Sequence, residues 1–427
     1  MEINIYQHGD NSTNRLRLTI SMLCKYIFSS LLFFTSIAAC HPPNKGDLPT
    51  ISINEFKYAG AYRLPNKTFG ESSLVYASGV ITYNQPNNSL FIIGKKKHQA
   101  IAEFPIPTLG QSKSLTNLPI SLSPIQPFVR VLPKGKQLNP QNLNRITGIG
   151  VVDEGLFLNA LKYYDAKGQN TDTSIFLPRL DNLKHKNESP IYALEGAAHA
   201  AGWISEIPQP WSSIFQSKLL VGNASNTPIA SRHSIGPSAF VVDTSQRIST
   251  SKYIETKALI DFSLKHKLHE DTYNEKGDND VWTVISHANY GFIVPNTSTY
   301  AVFGSSGGHY SQIGYKITQS NGHKCGGPCA EDPADYYNFY WLFDVNDMVK
   351  VFQGKKSPFD ILPYEYGRLK IPFETSKTAN GGLNFHRISG AAFDKHSKTL
   401  YFSLSNADNT TITKPVPLII AYKLINQ

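Results

Sequence analysis

The sequence predicts an all-β chain folded as a β-propeller of five blades, with six or seven blades as the alternatives. Three observations carry that prediction. Tyr, Phe, Val, Ile and Thr fill short apolar runs separated by Asn, Gly, Pro and Ser clusters, the pattern of strands joined by turns. Helical periodicity is nearly absent, and a unit of strand, turn and strand recurs five times. The composition agrees: of 427 residues, 17% are charged and 41% hydrophobic, with 30 Gly and 26 Pro. That profile excludes a disordered chain, a collagen-like one, a coiled coil and a disulfide scaffold.

The first element is an address. Lys25 precedes an apolar stretch from Tyr26 to Cys40, about fifteen residues where a bilayer span needs roughly 20. A positive residue, an apolar core and a small-residue exit make a secretory leader over 1–39, with Met22 as the alternative start. Ile37-Ala38-Ala39-Cys40 resembles the lipobox of bacterial lipoproteins, which implies lipidation of Cys40, cleavage before it, and membrane attachment through that lipid. The absence of Asp at position 41 implies, by the same resemblance, the outer membrane of a bacterial envelope. Residues 40–54 read as a polar, Pro-rich tether, and 55–427 as one propeller domain.

Removing the leader takes away Arg15, Arg17, Lys25, Glu2 and Asp10, so the formal charge falls from +9 to +8. No basic block stands out, and no nucleic-acid partner is expected. Besides Cys40, the mature chain keeps Cys325 and Cys329, in Lys324-Cys325-Gly326-Gly327-Pro328-Cys329. Gly-Gly-Pro folds the chain back, and an oxidising compartment favours a disulfide between them. A zinc site needs four ligands, and no second Cys pair exists.

The repeats follow in order. First and second strands are read at 78–84 and 89–94, 147–152 and 155–158, 199–204 and 218–221, 286–293 and 300–303, and 388–394 and 399–403. Third strands are read at 101–105, 174–178, 239–243, 340–344 and 418–422, and outer strands at 128–132, 190–194, 256–261 and 366–371. The fifth unit lacks an outer strand, which 56–64 supplies by closing the ring. Gly, Ala and Ser recur in every first strand because innermost strands crowd the axis; separate two-sheet sandwiches, the alternative, do not require that rule. Residues 344–354 read as a short helix with an Asp start and a Gly end.

The mature chain also resembles a group of exported bacterial proteins that look like β-propellers. The resemblance rests on Gly60-Ala61-Tyr62-Arg63-Leu64-Pro65, on Gly307-Gly308-His309 with its downstream Cys pair, on Phe343-Asp344-Val345-Asn346-Asp347 and on Ile388-Ser389-Gly390-Ala391-Ala392. It implies a fold and no substrate.

In a propeller, the loops entering inner strands and those joining second to third strands converge on one axial face. Here they bring Arg145, His199, Arg232, Trp282, His287, His309, His386 and Arg387, a set suited to a polar ligand, whether small molecule, glycan or protein. The expected role is a binding or interaction module, monomeric and with no cofactor identified. The alternative is a carbohydrate-active hydrolase of the arabinanase kind, with Glu195, Asp271 and Asp280 as its carboxylates. Asp271, Asp278 and Asp280 also form an acidic loop with oxygen ligands for calcium, though without EF-hand spacing; a solvated turn is the simpler reading. Gly304-Ser305-Ser306-Gly307-Gly308 fits G-x-S-x-G, but a strand rather than a helix is read after it, so a small-residue loop is preferred over a nucleophile. Lys95-Lys96-Lys97 reads as solvated surface.

Overall fold

The computed structural model describes residues 48–185, 190–224, 233–242, 253–377, 383–411 and 413–425. The leader, Cys40 and Arg232 lie outside the described residues.

Five antiparallel sheets carry the fold. From the axis outward, the first blade is Ile81–Asn84, Ser89–Ile93, Ala100–Pro105 and Gln126–Arg130. The second is Arg145–Val152, Gly155–Leu161, Asp172–Leu177 and Tyr192–Leu194. The third is Trp203–Glu206, Leu219–Gly222, Ala239–Val242 and Thr256–Ile260. The fourth is His287–Ile293, Thr299–Gly307, Tyr336–Asp344 and Glu365–Arg368. The fifth is Ile388–Asp394, Thr399–Asp408, Val416–Leu424 and, as its outer strand, the N-terminal Phe56–Arg63. Pairing from Phe56↔Leu424 to Arg63↔Leu418 joins the two ends of the domain, as expected. Each inner strand touches the next, and the fifth touches the first, so the ring is closed.

Crowding at the axis explains the small residues. A Cβ on Gly148 would stand 1.9 Å from the Gly202 carbonyl oxygen of the next blade, and one on Gly390 would stand 2.5 Å from that of Gly79. Away from the axis, aromatic side chains fill the wedges between blades. Phe303 of the fourth blade packs edge-on against Phe402 and Phe56 of the fifth, with centroids 5.0 and 5.9 Å apart. The helix Val345–Phe352 starts where expected, with the Asp344 carboxylate accepting from the Asn346 N–H, and buries Val345, Met348 and Val351.

Three elements depart from the sequence reading. The third inner strand starts at Trp203, because Gly196 sits in the left-handed region at φ 81° and Ala197–His199 forms a 3-10 turn. The second blade gains a fifth strand, Tyr253–Ile254, running parallel to Tyr192–Leu194. Part of the tether is docked: Ile51 N donates to Thr299 Oγ1 and Ile53 N to Glu365 Oε1, each at 3.0 Å, both on the fourth blade.

Candidate functional site: the two mouths of the axis

At the entry mouth, where inner strands begin, each blade contributes a basic side chain among the described residues. Arg145 and His287 open the second and fourth inner strands, and Arg387 immediately precedes the fifth. Lys96 and His233 lie on the loops joining second to third strands in the first and third blades.

Buried and half-buried amides pin these positions. Gln99 donates to the Lys96 carbonyl and accepts from Ile146 N, both at 2.5 Å, so it couples the Lys96 loop to the strand that Arg145 opens. Arg145 Nη1 also donates to the Lys96 carbonyl at 3.0 Å. Asn223 Nδ2 donates to His233 Nδ1 at 3.0 Å and to the Ala198 carbonyl at 2.7 Å. Asn338 brackets Arg387, accepting from Ile388 N at 2.7 Å and donating to the His386 carbonyl at 3.2 Å. Asn289 Nδ2 donates to the Ile388 carbonyl at 2.7 Å, tying the fourth inner strand to the fifth.

These groups act on one another electrostatically. Burial, then the Arg145 and Arg387 charges, pull the Lys96 pKa below its ordinary value. Burial pushes His287 down to about 3, with the Arg387 charge next in weight and further contributions from His233 and Lys96. Burial also lowers Arg387, which still reaches solvent. Among the described residues, no carboxylate forms an ion pair with Lys96, Arg145 or Arg387. Beside Arg387 lies a cavity of about 200 Å³, lined by Ser305, Ser306, Tyr336 and Phe385 and by the hairpin that carries the Cys325–Cys329 disulfide. The two Cα atoms of that disulfide are 6.3 Å apart.

The remaining sequence candidates hold the fold's own polar network. His199 Nδ1 meets Asp261 Oδ1 at 2.6 Å. Trp282 is 3% exposed and packs on Trp341 with centroids 5.1 Å apart. His386 is buried, its Nε2 2.9 Å from Ser376 Oγ and its Nδ1 3.2 Å from the Ser405 carbonyl; burial lowers its pKa. Gly304 to Gly307 lie within a strand rather than a loop, and no helix follows. The structure nevertheless brings Ser306 and His309 together: Nδ1 lies 2.7 Å from the Asn279 carbonyl oxygen and so donates, leaving Nε2, 2.7 Å from Ser306 Oγ, to accept. Ser306 Oγ is also 2.6 Å from Ser286 Oγ, a buried network that ties the acidic loop to the fourth blade.

The three candidate carboxylates are each engaged away from the mouth. Glu195 accepts from Thr256 N at the outer edge of the third blade, Asp271 from Lys276 N within its own loop, and Asp280 from the Tyr366 hydroxyl. Asp278 is exposed. Among the described residues, no group of three or more His, Cys, Asp and Glu side chains is placed to hold a metal ion. Lys96, His233 and Tyr336 were missed as site residues; Lys96 was masked by the lysine run around it, and its loop address was the available signal.

The opposite mouth, where inner strands end, holds a larger cavity of about 840 Å³. Tyr83, Tyr290, Phe292 and Phe393 line it together with Glu206, Asp394 and Lys395. Both Glu206 oxygens lie 2.8 Å from Lys395 Nζ, and Asp394 accepts from His396 N at 2.9 Å and from the Ser397 hydroxyl.

No protein-family model and no curated protein matches the chain. Among solved structures, the α-L-arabinanase of Cellvibrio cellulosa complexed with arabinohexaose is similar to it, with a TM-score of 0.39 and 10% identity over 82% of this chain and 91% of that one.

Proposed function

We propose that this chain is a lipid-anchored, extracytoplasmic propeller acting as a binding module whose ligand enters the axis beside Arg387. One observation carries the reading: the polar cavity there is built from Ser305, Ser306, Tyr336 and Arg387 and roofed by a disulfide-bonded hairpin, a shaped site with few convergent polar groups. Attachment through Cys40 and residence in the bacterial outer membrane belong to the same reading. The test is a thermal-shift screen of the full chain against small polar molecules and oligosaccharides, with binding located by hydrogen exchange. Protection at 305–306, 323–329 and 385–387 supports it. Ligands that protect only other segments, or none that bind, overturn it.

A second reading, a carbohydrate-active hydrolase, draws on the opposite mouth, where aromatic faces and carboxylates share one cavity. It requires that Glu206→Gln or Asp394→Asn abolish release of reducing ends from an oligosaccharide. Undiminished release in both variants removes those groups from any such chemistry.

A further inference from the structure

We propose that the entry mouth binds a compact oligoanion, a molecule presenting two or more carboxylate, phosphate or sulfate groups, gripped by Lys96, Arg145 and Arg387. The inference rests on the binding-module reading and names its ligand class.

The argument starts from placement. Among the described residues, each of the five blades delivers a basic side chain to one end of one axis, and Lys96, Arg145 and Arg387 carry permanent charge. Like charges gathered in a partly desolvated funnel repel each other, and a fold gains nothing by assembling them without counter-charge. The chain does neutralise cations elsewhere: Arg63 meets Asp408 at 2.7 Å in the closing blade. To Lys96, Arg145 and Arg387 it supplies none among the described residues. It instead fixes the cations' backbones with Gln99, Asn338 and Asn289, which are hydrogen-bonded on either side of them. Preorganised donors with absent counter-charge are the design of an anion site, because the ligand completes the charge balance.

Lys96, Arg145 and Arg387 come from three different blades, so an anion with two or more groups on a compact frame offers oxygens to each of them. Hydroxyls of Ser305 and Tyr336 line the same cavity as Arg387 and offer neutral donors to the remaining oxygens. His233 and His287 complete the ring.

The full chain is titrated calorimetrically with citrate, tripolyphosphate and, as the uncharged probe, maltotriose. At least one anion is expected to bind, with affinity falling several-fold between ~50 and ~300 mM NaCl. Arg387→Gln is expected to weaken it about tenfold, and Lys96→Gln about threefold, as one charge is lost in each. Without ligand, both variants melt no lower than the parent, since each relieves repulsion; this separates lost binding from lost folding. Anion affinity unchanged in both variants overturns the inference. So does maltotriose bound in place of the anions, which leaves the binding module standing. Silence of all three probes also overturns it, and the module then depends on the broader screen alone.

Discussion

The two mouths are built from opposite ends of the same five inner strands, yet they treat charge in opposite ways. At the strand ends, Glu206 is matched by Lys395 and Asp394 is capped by His396 N and Ser397, with aromatic rings between them. At the strand starts, Lys96 feels the charges of Arg145 and Arg387, and no carboxylate among the described residues forms an ion pair with any of the three. The first arrangement is what folding alone selects, because Glu206 meets Lys395 and Asp394 is hydrogen-bonded within the chain. The second is stable only because the rest of the ring holds it, and that residual charge is a signature of a site.

The largest effect comes from making a matched cation resemble the unmatched ones. Asp408 is 2% exposed and holds Arg63 of the closing strand, itself 19% exposed. Asp408→Ala leaves that guanidinium in the seam without its partner and is expected to cost about 3 kcal/mol, read as a lower urea midpoint at unchanged slope. Arg387→Gln, by contrast, is expected to lower the midpoint not at all. Equal losses in the two variants break the comparison, because Arg387 is then as structural as Arg63.

That contrast also marks what was legible in the sequence. The five-blade ring was, since axial crowding writes small residues into each inner strand and a missing outer strand points to its N-terminal substitute. The start of the third inner strand was not: a left-handed Gly196 and a 3-10 turn leave no periodic signal. The strand Tyr253–Ile254 was not either, being two residues long. For the site, the loop address located Arg145, His287 and Arg387 but did not tell them from His199, Trp282, His309 and His386 on the same loops. Those four turn into packing and hydrogen bonds, and side-chain direction within an irregular loop has no counterpart in hydrophobic pattern.

A middle-sized effect sharpens the comparison through pH. The folded state holds His287 at about 3, below an unfolded value of about 6.5. Between those limits the unfolded chain takes up a proton that the folded chain refuses. Stability from this group is therefore full above about pH 6.5 and declines as pH falls, at up to about 1.4 kcal/mol per pH unit. His309 and His386, lowered by burial, act in the same direction. Urea midpoints measured across this window are expected to fall less steeply for His287→Asn, and less steeply for the parent when citrate is bound. Parallel profiles for parent and variant mean that the entry mouth stores no repulsion at His287.

The smallest effect tests the sign of the comparison. Lys395 and Glu206 are 50% and 59% exposed, so their ion pair is worth only about 0.5 kcal/mol at low salt and fades as salt screens it. Lys395→Ala is expected to lower stability by about that amount. Lys96→Gln removes a charge of the same kind from the other end of the same axis, where its neighbours are Arg145 and Arg387, and is expected to raise stability slightly. Both shifts shrink at high salt, but they start from opposite sides of zero. Midpoints at ~50 and ~500 mM NaCl decide it. If both variants lose stability at low salt, Lys96 is held by attraction that outweighs its neighbours' charges, and the entry mouth is matched in the same way as its opposite.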